Sequence, residues 1–297
     1  MFKKCHFCKK GKILALFSSN RKTREEQAGA FACTNCGFGK HGPIIKCADC
    51  GIIYVDENVS QEKISAYYEM ADDPLYFAEQ DAREKTFKRY LANLKKICSR
   101  KDKLLDVGTF TGLFVKVAGD AGWEAQGLEP NKWGTEYSRK HYNLDITNKP
   151  FSIKIFPSES FDVVTMWDVI EHFTDPVAEM KKIFWYLKTG GVFAFSTVDP
   201  ESFLARIMGT KWSWYMEMHR VFLTRQTAKY YLEKTGFKKI VFRSHWRYLS
   251  LGYLSSRLLA INPLLSAVVE KLVNSLGLAK MIVPYYANDL YDCYAFR

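Results

Sequence analysis

Residues 104–112 read LLDVGTFTG and predict a buried strand that turns directly into a helix. The apolar run ends at Asp106 and is followed by Gly108 and Gly112, whose missing Cβ atoms let the backbone approach a ligand closely. A second acid, Glu129, lies 21 residues after Gly108, at the end of the next apolar run. In a doubly wound sheet an acid at about this spacing binds ribose hydroxyls. The stretch therefore predicts a site for an adenosine-type cofactor.

The form of the turn discriminates between cofactors. Dinucleotide-binding turns follow G-x-G-x-x-G, whereas this turn is D-x-G-x-x-x-G and carries Asp106 inside it. A carboxylate there repels a pyrophosphate and favours a cofactor that has an ammonium group and no phosphates. A nicotinamide enzyme is thereby disfavoured, and an ordinary strand-to-helix turn is the alternative to a cofactor site.

Two further motifs follow the turn in order. Residues 161–176 read FDVVTMWDVIEHFTDP, a buried strand that ends at Trp167 and Asp168 before a helix start. Residues 187–200 read LKTGGVFAFSTVDP, which we interpret as the end of a helix, a Gly-Gly stop and a strand. The three motifs together resemble the class I S-adenosylmethionine (SAM) methyltransferases, and among them the ubiquinone-biosynthesis O-methyltransferases.

This resemblance, over roughly residues 100–245, implies an α/β fold with a Rossmann-like, seven-stranded sheet and SAM as the cofactor. It places Asp106 at the methionine ammonium, Glu129 at both ribose hydroxyls and Pro130 against the adenine. The implied cofactor-binding residues are Asp106, Gly108, Thr109, Gly112, Glu129, Pro130, Trp167 and Asp168. The chain departs from the family motif D-x-G-x-G-x-G at Phe110, which replaces the middle glycine.

A hydroxyl acceptor would require a base to take its proton. His172 is the first candidate because it follows the strand of the second motif, and His219 is the second because it ends the aromatic tract KWSWYMEMH at residues 211–219. Either histidine can equally be structural. The tract's rings are predicted either to stack on a sugar or aromatic acceptor or to pack against later helices; they are Trp212, Trp214 and Tyr215.

Six of the eight cysteines form three C-x-x-C pairs, Cys5/Cys8, Cys33/Cys36 and Cys47/Cys50. Two such pairs can close a tetrahedral zinc site, and the spacing alone allows either partner pair for Cys47/Cys50, or a two-zinc cluster of all six. The N-terminal part resembles the zinc-binding module of many bacterial small-molecule and sugar methyltransferases, which has a C-x-x-C pair with a strand and a later C-x-x-C-G with a strand. That resemblance favours Cys5, Cys8, Cys47 and Cys50 as the zinc ligands.

The chain of 297 residues is 47% hydrophobic and predicts a large domain with a smaller one. We expect a zinc-binding module at residues 1–60, a helical linker at 61–100 and the SAM-binding domain at 101–297, with substrate insertions at about 199–222 and 247–284. No signal peptide or spanning apolar run is visible, which predicts a cytoplasmic protein.

The expected function is methyl transfer to a hydroxyl of a small molecule or glycan precursor. Residues 1–50 hold 10 Lys and Arg against 3 acids, so an RNA methyltransferase is the first alternative. A zinc-bearing binding protein with a degenerate SAM site is the second. The apolar residues within 249–278 predict core packing or, alternatively, contact with a membrane surface.

Overall fold

The computed structural model describes residues 4–20, 39–57, 59–69, 74–98, 103–258 and 263–297. Cys33 and Cys36 lie outside these described residues. The N-terminal part contains the strands β1 (Ile13–Phe17), β2 (Ile44–Cys47) and β3 (Ile53–Val55), followed by the helices α1 (Gln61–Glu69), α2 (Pro74–Ala78) and α3 (Gln80–Ile97).

The central sheet has five strands that run in one direction and one strand, between the last two of them, that runs against them. The strands that pair in parallel are β4 (Lys103–Val107), β5 (Glu124–Leu128), β6 (Phe161–Trp167) and β7 (Leu187–Val198). The strand β12 (Leu290–Phe296) pairs antiparallel with β7 and with β9 (Lys239–Ser244). The resulting order is β5-β4-β6-β7-β12-β9.

The predicted seventh strand is wrong for the described residues, in which the central sheet has six strands. Beyond β5 there is only a single parallel bridge, between Leu128 and Thr147. Around that bridge only Ile146 buries an apolar side chain, and Pro150 lacks the N–H that further pairing would need. The segment therefore contributes one bridge rather than an edge strand.

Helices cover both faces of this sheet because its buried strands alternate their side chains between two cores. Leu105 and Val107 of β4 belong to one core, with α6 (Pro176–Tyr186) and α8 (Arg225–Thr235). Leu104 belongs to the other, with α3 and α4 (Leu113–Asp120). The helix α5 (Lys132–Tyr142) begins at the Asn131 cap, whose side chain accepts from the Gly134 N–H.

The predicted Gly-Gly stop lies inside β7. The strand begins at Leu187, directly after α6, and the pairing of β6 with β7 shifts register between Phe161 and Val163. Gly190 has a φ of +79°, and a Cβ on Gly191 would come within 2.9 Å of the Lys188 carbonyl oxygen. The two glycines therefore form an irregular start of the strand instead of ending a helix.

A second sheet joins the N-terminal strands to a distant part of the chain. Its order is β1-β2-β3-β8, where β8 is the two-residue strand Val221–Phe222. The aromatic tract packs on this sheet: Trp212 and Tyr215 are buried in one cluster with Ile44 and Ile53. The short helix α7 (Phe203–Met208) precedes the tract.

The second predicted insertion, at about residues 247–284, contains two helices enclosed by a two-stranded ribbon. It comprises β10 (Arg247–Ser250), α9 (Leu251–Arg257), α10 (Pro263–Ser275) and β11 (Ile282–Tyr285), with β10 antiparallel to β11. No helix in the described part of the chain has the length and hydropathy needed to cross a membrane.

Candidate functional site

A cavity of about 290 Å³ lies at the carboxyl ends of β4 and β6. This edge of a parallel sheet is the usual ligand position in open α/β folds. The predicted site residues that line it are Asp106, Gly108, Thr109, Pro130, Trp167, Asp168, His172 and His219. Both predicted insertions contribute, with Met218 and His219 from one and Arg247 and Tyr253 from the other. Gly112 and Glu129 are not among the lining residues.

Asp106 places a buried carboxyl group in the wall of the cavity. Its Oδ1 accepts a hydrogen bond of 2.6 Å from the Thr165 hydroxyl. Burial raises the pKa of Asp106 to about 7, although the hydrogen bond from Thr165 acts to lower it. A carboxylate in such surroundings is stabilised by a cation that arrives with the ligand. The ammonium of SAM fits this requirement, and a phosphate does not.

Glu129 supports the glycine-containing turn from behind. Its Oε2 accepts from the Phe110 N–H at 2.7 Å, and its Oε1 accepts from the Asn131 N–H at 2.8 Å. The side chain is fully buried, and burial raises its pKa to about 7. A carboxylate offers about four acceptor positions, so the two main-chain bonds leave capacity for ribose hydroxyls.

Phe110, which replaces the middle glycine of the family motif, adopts the left-handed conformation with a φ of +49°. The conformation costs about 1–2 kcal/mol for a residue with a Cβ. Aromatic contacts offset it, because the ring lies 4.6 Å from that of Tyr76 and 5.6 Å from that of Trp133. The missing glycine therefore leaves the turn intact.

Gly112 has a structural role, since a Cβ there would lie 2.5 Å from the Ser138 hydroxyl.

Trp167 and Asp168 end β6 at the cavity. Asp168 has a φ of +55°. Its Oδ1 accepts from the Ser196 hydroxyl at 2.6 Å, and its main-chain N–H donates to Ser196 Oγ at 2.9 Å. The Trp167 ring lies 4.4 Å from that of Tyr90. Its indole N–H is buried without a hydrogen-bond partner among the described residues, so a ligand acceptor would satisfy it.

The two predicted base candidates lie together. The rings of His172 and His219 are 5.0 Å apart. The Nε2 and Nδ1 atoms of His172 each lie 3.1 Å from a carbonyl oxygen, those of Asp168 and Met218, and His219 Nδ1 lies 2.9 Å from the Trp214 carbonyl oxygen. Burial lowers the pKa of His172 and, together with the neighbouring His172, lowers that of His219 well below the usual value. Burial thus favours the neutral form of both rings.

Glu171 completes a group of three possible metal ligands with these histidines. One donor atom of each residue lies within 4.8 Å of the others. Burial raises the pKa of Glu171 to about 8, and its Oε2 accepts from the Thr197 hydroxyl at 2.9 Å. Imidazole and carboxylate donors at this separation suit a divalent cation, so the group can serve as a base or as a cation site.

Sequence reasoning missed a buried polar chain beside the cavity. The Tyr90 hydroxyl lies 3.0 Å from His245 Nε2 and 3.4 Å from its Nδ1, and His245 Nδ1 lies 2.7 Å from Asp292 Oδ1. Tyr90 lines the cavity and all three residues are buried. They come from α3, the turn after β9 and β12, so no local pattern in the sequence connects them.

The cysteine pairs meet as the resemblance implied. Cys5 Sγ lies 3.8 Å from Cys50 Sγ, and Cys8 Sγ lies 3.7 Å from Cys47 Sγ. All four sulfurs lie within 4.8 Å of one another. Sulfurs bound at ~2.3 Å around a tetrahedral zinc ion are about 3.8 Å apart. The four residues therefore fit zinc without rearrangement.

The cysteine-bearing sheet is hydrogen-bonded to the histidine site. The Val55 N–H donates to the Arg220 carbonyl oxygen at 3.0 Å, and the Arg220 N–H donates to the Glu171 carbonyl oxygen at 2.8 Å. The Arg220 side chain also pairs with Glu57 at 3.5 Å. His219 precedes Arg220 directly, so its position depends on this sheet.

Known proteins share this architecture. A family model described as a methyltransferase domain matches residues 76–241, more than half of the chain. The ubiquinone biosynthesis O-methyltransferase of Cereibacter sphaeroides is 30% identical over 117 residues, 37% of this chain and 47% of that protein. The protein of the same name from Ruegeria pomeroyi is 26% identical over 180 residues, 52% of this chain and 73% of that protein.

A solved SAM-dependent methyltransferase from Archaeoglobus fulgidus has the same fold, with a TM-score of 0.52 at 16% identity over 76% of this chain and 100% of that one. The chain spans about half the length of the curated relatives that it matches first.

Proposed function

We propose that this chain, which belongs to the family of methyltransferase domains, transfers a methyl group from SAM to a hydroxyl of a small molecule or glycan precursor. The observation that carries the proposal is the cavity at the ends of β4 and β6, where the buried carboxyl of Asp106 lines the same space as His172 and His219. The name of the O-methyltransferase relatives supports oxygen as the accepting atom.

SAM, when bound, supplies a methyl group made electrophilic by its sulfonium. The chain's own contribution is to hold and desolvate it. Asp106 would pair with the ammonium, beside the backbone of Gly108 and Thr109. Pro130 would contact the adenine, and Glu129 would accept the ribose hydroxyls with the positions that its two main-chain bonds leave free. Trp167 and Asp168 would border the methionine part.

On the acceptor side, His172 would take the hydroxyl proton. The imidazolium that forms can donate to both carbonyl oxygens within 3.1 Å, those of Asp168 and Met218, so the surroundings stabilise the product of proton transfer. His219 is the second candidate and contacts His172 edge to face. If the group formed with Glu171 holds a divalent cation instead, zinc-loaded protein will be inactive until a second divalent cation is added.

The same proposal assigns a structural zinc ion to Cys5, Cys8, Cys47 and Cys50. The sulfur separations of 3.7 and 3.8 Å support it, as does the burial of Cys5 and Cys47 against the main core. In this reading residues 1–60 form a zinc-binding module, 61–100 a helical linker and 101–297 the SAM-binding domain.

The test is thermal stabilisation of zinc-loaded protein by SAM, S-adenosylhomocysteine and NAD in parallel. A ligand at about 100 times its dissociation constant adds ~2.7 kcal/mol to the free energy of unfolding. We expect a shift with the two adenosyl-sulfur ligands alone. A shift with NAD alone would indicate a dehydrogenase, and no shift with any of them would indicate a binding protein.

The base assignment needs a separate experiment. His172→Ala is expected to lower kcat while leaving S-adenosylhomocysteine affinity unchanged, because His172 acts on the acceptor. A normal methylation rate in this variant would remove His172 from the mechanism. Titration of a second divalent cation into zinc-loaded wild-type protein and zinc-loaded His219→Ala, with the zinc content checked throughout, distinguishes a base from a cation site.

A further inference from the structure

Arg247 brings a positive charge to the cavity without a carboxylate partner. It lies on β10, lines the cavity and is half-buried. Within the described part of the chain, the buried Nε of Arg247 has no hydrogen-bond partner. The guanidinium also forms no ion pair with any described carboxylate. By contrast, Lys182 in the same wall is neutralised by Glu179 at 2.8 Å. A partly desolvated cation of this kind is expected to receive an anion.

Two aromatic rings hold the guanidinium in place. Its Cζ lies 5.1 Å from the centre of the Trp214 ring and 5.3 Å from that of Tyr285, which is its partner across the β10–β11 pair. The Tyr285 side chain also shares a hydrogen bond with Arg247. A guanidinium has five N–H donors, so these contacts position the group and leave further donors for an anion. The buried carboxylate Asp289 accepts from the Trp214 indole N–H through Oδ2 at 2.6 Å, leaves Oδ1 without a hydrogen-bond partner, and forms no ion pair with Arg247 in the described part of the chain.

Trp214 also connects Arg247 to the histidines. Its ring is parallel to that of His219, with centres 6.1 Å apart, and its carbonyl oxygen lies 2.9 Å from His219 Nδ1. The cation and the candidate base thus flank one indole, on the acceptor side of the cavity. The acidic residues that suit the cofactor's ammonium, Asp106 and Asp168, lie instead at the ends of β4 and β6.

From these contacts we propose that Arg247 forms an anion subsite for the methyl acceptor, which therefore carries a carboxylate or a phosphate group. The inference rests on the proposed function, because it takes the rest of the cavity to hold SAM. Arg247 is a specificity-determining residue in this reading: it fixes the anionic end of the acceptor while the hydroxyl approaches the histidines.

The test is titration calorimetry on protein saturated with S-adenosylhomocysteine, using three probes of similar size: benzoate, phenyl phosphate and neutral benzyl alcohol. The variants are Arg247→Met, Arg247→Lys and, as a control of equal charge change, Arg243→Met, whose residue is exposed on β9 and does not line the cavity. We expect the wild type to bind one anionic probe at least about tenfold more tightly than the neutral one. The stronger of benzoate and phenyl phosphate identifies the anion.

Arg247→Met should abolish that preference, and Arg243→Met should behave as the wild type. Arg247→Lys should retain only part of the preference, because lysine keeps the positive charge but lacks the planar fork of the guanidinium. The melting temperature of unliganded Arg247→Met should be unchanged or higher, since an unpaired charge is removed. Undiminished anion binding by Arg247→Met, no preference in the wild type, or a melting temperature clearly below that of Arg243→Met would overturn the proposal.

A loss of S-adenosylhomocysteine affinity in Arg247→Met would also overturn it, by assigning the cation to the cofactor's carboxylate. Failure of the proposed function is recognised separately, because the wild-type protein would then not bind S-adenosylhomocysteine before any probe is added.

Discussion

Replacing Asp106 by Asn should stabilise the unliganded protein at alkaline pH and weaken its binding of SAM. Burial raises the pKa of this carboxyl from 3.8 to about 7, so between these values the folded protein keeps a proton that the unfolded chain has released. The free energy of unfolding therefore falls as pH rises from about 4 to about 7, and each pH unit counts for ~1.4 kcal/mol. Above pH 7 the buried Asp106 carboxylate therefore lowers the free energy of unfolding by ~4 kcal/mol at most, compared with its value at about pH 4.

The side-chain amide in Asp106→Asn carries no charge and can still accept from the Thr165 hydroxyl, which in the wild type bonds Asp106 Oδ1 at 2.6 Å. The variant should consequently be more stable than the wild type at about pH 8 and similar to it at about pH 4. Its affinity for S-adenosylhomocysteine should fall by about 10- to 100-fold, because a charge-assisted bond to the ammonium is lost.

Urea denaturation at the two pH values and titration calorimetry at the higher one give these quantities. Asp145→Asn is the matched control, since the Asp145 side chain is 89% exposed and pairs only at the surface with Arg139. Equal stability of the wild type and Asp106→Asn at both pH values would refute the burial argument, and unchanged ligand affinity would refute the ammonium assignment.

Three further results are expected. Glu129→Ala should lower SAM affinity by about 1–3 kcal/mol in calorimetry and destabilise the fold by leaving two main-chain N–H groups unpaired; unchanged affinity would remove Glu129 from the ribose site. Cys47→Ser should abolish stoichiometric zinc in elemental analysis and lower kcat, whereas Cys98→Ser should retain both; zinc retained in the first variant would contradict the ligand set. Leu272, which is 56% exposed on α10, tests the alternative of membrane contact: Leu272→Glu should reduce sedimentation with anionic vesicles several-fold, and equal sedimentation would count against that surface.

The parts of the fold with local signals were predictable from the sequence. The helix α8 begins after Thr224, whose hydroxyl accepts from the Thr227 N–H at 3.0 Å, and ends at Gly236 with a φ of +116°. Both features follow from cap chemistry that involves only neighbouring residues. The Rossmann-like fold of the class I SAM methyltransferases is confirmed. It could be predicted because each of its motifs occupies one strand and the turn that follows that strand.

Parts that depend on distant contacts were not predictable in this way. The partner of Trp212 proved to be the N-terminal sheet rather than a ligand or the later helices, and nothing near residue 212 encodes β2 or β3. The same holds for Arg247, whose surroundings come from β11 and the aromatic tract. The two glycines at 190–191 were misassigned because a glycine pair signals a positive φ without saying whether a helix or a strand contains it.

The position of β8 connects the cysteine-bearing sheet to the backbone around His172 and His219. β3 follows Cys47 and Cys50 directly and pairs with β8 through Ile53 and Phe222. The next main-chain bonds run from Val55 to Arg220 and from Arg220 to Glu171, which flanks His172. A zinc ion that fixes the cysteine turns would therefore also fix the backbone that carries His219. Because Asp106 and Glu129 are held by separate bonds at β4 and β5, loss of the metal should affect the acceptor side of the cavity before the cofactor side.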